Sequence, residues 1–370
     1  MIGLSLFSNI GIAEMGLNPK RFKILYANEI DKKRSALYQE IHSLTKMING
    51  DIRNSDIKSK LIENREIDFI ISSPPCQGMS TAGKNEKDDP RNNLVSHSVE
   101  IIKKILPKYV FHENVSGQEK TFIKMQNTKI TIPEYIELEL SDFYHIEKKI
   151  ILMSNYGIPQ NRKRSIYLLT KKSQKKWVFP PEKKIITLRK AIGTLPPLDP
   201  YISDLKDNDI LKIFPKFYIK INEGLCVSKY HTPIGHPLRQ ILVMMRTPSG
   251  SSAFENEMKF RPKKNDGELV KGFKNTYKRL EWDKPASTIT TYNRTISSQE
   301  NVHPGREYVY NGQKYYSDPR VFTLYELMVL MTIPKNFVFP DNYNHSFIRS
   351  LIGEGIPPKF VEDCFRMIPS

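Results

Sequence analysis

Four short apolar runs mark the first part of the chain: residues 2–7, 22–27, 68–72 (DFIIS) and 109–112 (YVFH). Each ends in small or polar residues, which predicts strands. Between the last two runs, Leu94, Val95, Val99, Ile102, Ile105 and Leu106 recur at helical spacing, which predicts a helix over 94–106. Strands alternating with helices over residues 1–170 imply a mixed, mostly parallel α/β sheet with helices on both faces. Ligands of such sheets sit beyond the carboxyl ends of the strands, so chemistry is expected just after each run. Near residue 180 the pattern changes. Pro180, Pro181, Pro196, Pro197 and Pro200 cluster, and from there to about 344 the chain is polar, basic and irregular. That texture predicts a second, smaller, loop-rich domain. Apolar spacing returns at Ile348, Leu351, Ile352, Phe360, Val361 and Phe365, which predicts a structured closing segment.

Composition narrows the function classes. With 39% hydrophobic and 26% charged residues over 370 positions, a disordered chain is excluded. Lysine and arginine number 57 against 40 acids, and the resulting +17 points to a polyanionic partner, nucleic acid first of all. Three cysteines (Cys76, Cys226, Cys364) cannot build a disulfide scaffold and point to a reducing compartment, the cytoplasm. No apolar run approaches the ~18 residues of a membrane span. The apolar start lacks a basic leader and carries Glu14, so no signal peptide is expected.

The first run leads into Phe7-Ser8-Asn9-Ile10-Gly11, a turn of small residues where backbone N–H groups can approach a ligand. Glu29 follows Gly11 by 18 residues, just past the next run, where an acid can grip a ribose diol. The full G-x-G-x-x-G is missing, which argues against NAD, and a plain strand–turn–helix explains an isolated match equally well. Asp51 can accept from an adenine amino group or serve as a turn or N-cap residue. The stretch Ser72-Ser73-Pro74-Pro75-Cys76-Gln77-Gly78-Met79-Ser80 is more specific. A cysteine at a strand end, fixed by two prolines and followed by small residues, suits a nucleophile presented at the sheet edge. Cys226 and Cys364 read instead as buried, inert thiols. Glu113 ends the next run and would face the same edge. Arg162 and Arg164 precede another apolar run, 165–169; two apart in an extended segment, they would point the same way.

Further segments complete an ordered set: Asp89-Pro90-Arg91-Asn92-Asn93-Leu94, Glu113-Asn114-Val115, Gln160-x-Arg162-x-Arg164, Trp282-Asp283-Lys284-Pro285-Ala286-Ser287-Thr288-Ile289, Arg320-x-Phe322-Thr323-x-x-Glu326 and Gly353-Glu354-Gly355-Ile356-Pro357. With the turn at Phe7, Glu29, Asp51 and Pro74-Pro75-Cys76-Gln77, they span nearly the whole chain. In this order they resemble the motifs of DNA (cytosine-5)-methyltransferases of the bacterial restriction–modification type.

The resemblance implies a Rossmann-like class I methyltransferase domain at 1–179, a target-recognition domain at 180–344, and a segment 345–370 that completes the first domain. It implies methyl transfer from S-adenosylmethionine to C5 of a flipped-out cytosine in a specific sequence of double-stranded DNA. Cys76 would add to C6, Glu113 would act at N3, and Arg164 with Arg162 would hold O2. Cofactor contacts would come from Phe7, Ser8, Asn9, Ile10, Gly11, Glu29, Ile30, Asp51, Ile52, Pro75, Leu94, Glu354 and Gly355. DNA contacts would come from Gln77, Ser80, Lys84 and Arg91 in a mobile loop, from Arg246 and Ser251 as base readers, and from Lys263 and Lys264 at phosphates. No metal and no membrane are expected; a monomer is, and a cognate restriction endonuclease is the protein partner to look for. Three positions depart from the family pattern: Ser5 where an acid is usual, Asn9 in place of the first glycine of the turn, and Glu354 in place of asparagine. A tRNA-acting relative would carry Cys-Phe-Thr, which is absent. A DNA reader without chemistry would not need Cys76, Glu113 and Arg164 together. A nicotinamide oxidoreductase fits neither the missing glycines nor the charge.

Overall fold

The computed structural model describes residues 1–63, 66–75, 93–125 and 128–369. Its central sheet is built from the predicted alternation: β1 (Ile2–Leu6), β2 (Lys23–Glu29), α1 (Lys32–Ile41), β3 (Lys46–Asn49), α2 (Ser55–Ile62), β4 (Phe69–Ser72), α3 (Leu94–Ile105) and β5 (Tyr109–Val115). An antiparallel pair, β6 (Phe122–Met125) and β7 (Thr128–Thr131), precedes α4 (Ile132–Leu140), β8 (Tyr144–Leu152), β9 (Gln160–Asn161) and β10 (Lys163–Lys171). The strand order is β3-β2-β1-β4-β5-β10-β8. The first five are parallel, and β10 runs antiparallel to both of its neighbours. Strand order reverses between β1 and β4, the switch point at whose carboxyl ends ligands of such sheets bind.

The unbroken apolar runs have a simple cause: these strands are covered on both faces. Ile70 of β4 packs with Val95, Val99 and Ile102 of α3 and Ile136 of α4. Its neighbour Ile71 points the other way, toward Phe111, Trp177, Phe360 and Phe365. The predicted helix over 94–106 ends one residue early, because Leu106 turns left-handed at φ 51.

The closing segment forms two helices, His345–Glu354 and Pro358–Arg366. The second lies on the sheet, and Trp177 Nε1 donates to the Cys364 carbonyl at 2.7 Å. Cys364 is fully buried, and burial pushes its thiol up well above the ordinary value. Cys226 is exposed, against expectation. Its helix, Phe217–Val227, buries Phe217 and Gly224 and leaves Ile219, Leu225 and Cys226 outward.

Between 180 and 344 the chain is mostly loops, with short helices such as Leu238–Met245 and an antiparallel pair, Glu307–Tyr310 with Gln313–Tyr316. An apolar cluster ties this region to the first turn: Ile10, Ile12 and Leu37 pack with Leu188, Trp282, Phe322, Leu327 and Ile352. Beside it lies a buried charge network. Arg320 is fully buried, and donates to both oxygens of Glu326, at 2.8 and 3.0 Å, and to Asp318 at 2.8 Å. Burial alone would raise the Glu326 carboxyl; the Arg320 guanidinium and His303 outweigh it and hold it at about 2.

Burial also depresses several histidines, His112 and His303 to about 4 and His236 to about 3 among them. A histidine held below its unfolded value of ~6.5 stabilises the fold above that pH and withdraws the contribution as pH falls toward its folded value. The urea midpoint is therefore expected to be flat above about pH 7 and to drop steadily from about pH 6.5 to 4. Equal midpoints at neutral pH and in this acid window would refute it.

Candidate catalytic and cofactor site

At the carboxyl edge of the sheet, Ser72 of β4 stands in register with His112 of β5. Just beyond, Asn114 Nδ2 donates to the Pro74 carbonyl at 3.2 Å, and Ser73 Oγ donates to the Phe7 carbonyl at 3.4 Å. The Ser73-Pro74 stretch is thus tied to the ends of β1 and β5. Cys76 follows directly, but it lies outside the described residues, as do Gln77, Ser80, Lys84 and Arg91.

Glu113 sits on β5 opposite Ile166 of β10, which brings Arg164 beside it. Arg164 Nε meets Glu113 Oε1 at 2.8 Å, with the side chains only 13% and 8% exposed. An ion pair this shielded is held in one geometry and is weakly screened by salt. Arg162 behaves differently from the expectation that both arginines face one way. The strand breaks at this residue, since β9 ends at Asn161 and β10 begins at Lys163. Two-residue alternation therefore fails there. Arg162 is 1% exposed and donates to the carbonyls of Ile289, Gly353 and Glu354, each at 3.1 Å. Its guanidinium fastens the closing segment to the sheet edge.

At the carboxyl end of β1, the first turn has Phe7, Asn9 and Gly11 at φ 56, 51 and 73. Asparagine is among the few side chains that tolerate this region, which explains how Asn9 replaces glycine. Glu29, 6% exposed, receives the Asn9 N–H at 3.0 Å and the Asp31 N–H at 2.9 Å. Burial raises its carboxyl above the usual range, against these two amides and the Arg34 charge. Ile30, next to it, is 60% exposed, an apolar side chain left bare beside a buried acid. Two buried oxygens here, Asn9 Oδ1 and Ser72 Oγ, have no hydrogen-bond partner. A buried acid with lone pairs to spare, an uncovered apolar wall and orphaned oxygens fit a nucleoside-bearing ligand.

The other expected cofactor residues divide. Phe7 and Leu94 are half-buried, and Pro75 is exposed. Ser8 donates to the Asn28 carbonyl at 3.1 Å. Ile10 and Ile52 are buried in apolar clusters, so only their backbones can face a ligand. Gly355 packs so closely on Ile12 that a Cβ would lie 2.8 Å from its Cδ1. Asp51 is engaged by Arg53, whose Nη2 lies 2.6 Å from Oδ2; those hydrogen bonds hold its carboxyl below the usual range. Ser5 is buried and hydrogen-bonds Glu14, a buried acid whose carboxyl burial pushes up.

Residues 1–370 match the family described as C-5 cytosine-specific DNA methylase. The chain belongs to that family. This cytosine-5 DNA methylase is 40% identical over 376 residues to Type II methyltransferase M1.HgaI of Avibacterium volantium, covering 100% of this chain and 98% of that one. It is 24% identical to Type II methyltransferase M1.HphI of Haemophilus parahaemolyticus, over 96% of this chain and 83% of that one. Among solved structures it resembles a prophage-encoded DNA modification methyltransferase of E. coli (TM-score 0.64, 21% identity, 99% and 98% covered). It also resembles the S. pombe Dnmt2 methyltransferase (TM-score 0.59, 16% identity, 100% and 98% covered). At these identities the two structures speak for the fold, a class I methyltransferase sheet. The protein is a DNA cytosine-5 methyltransferase of the Type II restriction–modification kind, and no helix among its described residues is long and apolar enough to cross a membrane.

In this methylase the expected base reader Arg246 is committed elsewhere. Its guanidinium lies 3.8 Å from the Tyr315 ring centroid and 4.6 Å from that of Phe260, and donates to Gln313 and Tyr315. Stacking and hydrogen bonds fix it as the anchor of the Glu307–Tyr310 and Gln313–Tyr316 strand pair. Ser251 accepts the Arg279 N–H at 3.0 Å through its carbonyl, within a turn tied to the same layer. Lys263 is exposed, whereas Lys264 pairs with Glu268 at 2.7 Å.

Two features escaped the sequence reading. Tyr292 is 76% exposed, yet the next residue, Asn293, is 4% exposed and bonded to Arg349 and the Thr290 carbonyl. Tyr292 and the exposed Arg294 are therefore presented on a pinned loop that begins at the Ile289 carbonyl held by Arg162. An aromatic residue two positions from a cation, in a polar loop, was the available signal. The second is Arg34, which pairs with Glu354 across 320 residues. No local pattern could have joined those two.

Proposed function

We propose that this methylase transfers the methyl of S-adenosylmethionine to cytosine C5 through a transient bond between Cys76 Sγ and C6 of a flipped base. The observation that carries the reading is the shielded Glu113–Arg164 pair, at 2.8 Å, beside the strand end that leads through Pro74-Pro75 to Cys76. S-adenosylmethionine, when bound, supplies the methyl as an electrophile on a sulfonium. Cytosine inside a duplex is stacked and out of reach, so the base has to turn out of the helix. The Cys76 thiolate then adds to C6, and the electron pair of the C5–C6 bond moves to C5. Glu113 stabilises this by holding or protonating N3, and Arg164 by donating to O2, where negative charge builds up. Once C5 carries the methyl, a water molecule takes the C5 proton as base, the C–H electron pair re-forms the C5–C6 double bond, and the C6–S pair departs on sulfur, which restores the thiolate. Glu29 and the Phe7–Gly11 turn would hold the adenosyl group, with Ile30 against the adenine; Asp51 would have to exchange Arg53 for the adenine amino group.

The test is a duplex with 5-fluorocytosine at the target, which has no C5 proton to lose. A denaturation-resistant protein–DNA adduct that disappears in Cys76→Ala is expected. A confirmed recognition site that yields no adduct would remove the C6–sulfur bond from the mechanism. Bisulfite sequencing of DNA from expressing cells identifies the site methylated.

For DNA binding we propose residues 180–344 as the target-recognition domain, with Lys263 and Lys264 at phosphates and Tyr292 and Arg294 added to the contact surface. Binding is expected to weaken with salt at a log–log slope of ~0.9 per phosphate contact. Arg294→Ala should flatten that slope by about one contact, and an unchanged slope would take Arg294 off the surface. A cytoplasmic monomer working beside a restriction endonuclease of the same specificity completes the proposal.

A further inference from the structure

Two of the three departures from the family pattern touch each other. Asn9 Nδ2 donates to Glu354 Oε2 at 3.2 Å, although the residues are 345 positions apart. Arg34 grips the same carboxylate with both terminal nitrogens, Nη1 to Oε2 at 2.6 Å and Nη2 to Oε1 at 3.0 Å. Arg34 is set by the N-cap of α1, where Asp31 Oδ1 accepts its backbone N–H at 2.8 Å. The Asp31 and Asn9 backbone N–H groups in turn hold the two oxygens of Glu29, at 2.9 and 3.0 Å. The contacts form a chain from Glu29 through Asn9, Glu354, Arg34 and Asp31 back to Glu29. It draws together the ends of β1 and β2, the start of α1 and the end of the helix His345–Glu354.

Stability is a weak explanation for this arrangement. The Arg34 and Glu354 side chains are 28% and 34% exposed, and ion pairs at that exposure contribute little to folding. The helix carrying Glu354 is already held by the buried Ile348, Leu351 and Ile352 and by Arg162 on the Gly353 and Glu354 carbonyls. What the contacts fix is orientation. Asn9 sits at φ 51, and its side chain is turned so that Nδ2 meets the carboxylate while Oδ1 is left buried without a partner. That is an unfavourable posture for an amide unless the carboxylate is present. The same residue's N–H decides which lone pairs of Glu29 remain for a ligand.

We propose that Asn9, Arg34 and Glu354 are positioning residues that preset Glu29 and the first turn for the adenosyl ligand, and that Asn9 and Glu354 are a matched pair, each suited to the other. The proposal rests on the reading of Glu29 as the ribose-binding acid. Glycine at 9 with asparagine at 354 is the alternative pair; a mixture of the two patterns leaves either the Asn9 amide or the Glu354 carboxylate without its counterpart. Arg34 neutralises a charge that the asparagine pattern does not contain.

The experiment is a cycle of Asn9→Gly, Glu354→Asn and the double variant of the full chain. S-adenosylhomocysteine binding is measured by calorimetry, and thermal midpoints are recorded as a check on folding. Each single change is expected to weaken binding ~10-fold, and the double by far less than the ~100-fold product, since neighbours in one network couple. Arg34→Ala should resemble Glu354→Asn, and adding it to Glu354→Asn should cost little more. In turnover, Glu354→Asn should raise KM for the methyl donor and leave kcat unchanged at saturation, the mark of lost ground-state positioning. Single variants within twofold of wild type, or a double equal to the product, overturn the clasp. A wild-type protein that binds no S-adenosylhomocysteine overturns instead the reading of Glu29 on which it rests.

Discussion

Glu113→Gln is expected to cut kcat by ~10²- to 10⁴-fold while DNA affinity stays within a few-fold of wild type, because a positioned proton donor contributes about that much. Glutamine keeps the size of the side chain and can still hydrogen-bond, but it cannot carry a proton to N3 or balance the guanidinium 2.8 Å away. The site around it does not depend on the carboxyl: β5 is held by its register with β10, and Asn114 by its bond to Pro74. Any loss therefore reports on the carboxyl itself. Single-turnover kinetics on a short duplex separates the chemical step from release. A Glu113→Gln enzyme turning over within threefold of wild type would show that N3 needs no acid. Arg164→Lys makes a sharper companion, since an ammonium cannot reproduce a fork that holds Glu113 and would reach the base at the same time.

Arg320→Met is expected to cost ~3–5 kcal/mol of stability, a large share of the ~5–15 kcal/mol that holds a typical domain. Arg320, Asp318 and Glu326 are buried together, and removing the guanidinium leaves two carboxylates without their counterion. Those carboxylates would have to take up protons or drag in water, so the variant should be least stable at neutral pH and partly recover in mild acid. The Glu326 carboxylate also caps its own helix by accepting the Thr323 N–H at 2.6 Å. Urea unfolding is the measurement, with Arg189→Ala as the contrast. That residue also pairs with an acid, Asp283 at 2.7 Å, but both side chains are largely in solvent. An Arg320→Met midpoint as close to wild type as that of Arg189→Ala would mean that the buried network is energetically idle.

Much of this was legible along the chain, for reasons that differ by element. The strands at 68–72 and 109–112 could be read because two-sided burial makes an unbroken apolar run, a local property. The helix at 94–106 could be read because its core-facing side repeats at the helical period; only its last residue was missed, since Leu106 adopts a left-handed turn that no periodicity reveals. Glu113 could be placed near the sheet edge because it closes an apolar run; its pairing with Arg164 depends on the antiparallel register of β5 and β10, which spacing does not reveal. Arg162 could not be separated from Arg164 by spacing, since the break in the strand between them depends on the carbonyls of Ile289 and Gly353, far along the chain. The contacts of Arg246 were hidden for a similar reason. A lone arginine in a loop looks available until Phe260 and Tyr315 close around it. Cys226 was read as buried because cysteine usually is, and its helix happens to bury a different face.

The last helix carries a cost during synthesis. Trp177 waits for Cys364, 187 residues downstream, and Phe69 and Phe111 wait for Phe365. At ~5–20 residues per second of translation, a ribosome leaves parts of that aromatic strip bare for roughly 10–60 s. A nascent chain of this enzyme therefore keeps apolar surface uncovered until its last helix is made. A message cut short before residue 358 would release a sticky, half-clad sheet, fit for proteolysis and not for marking DNA.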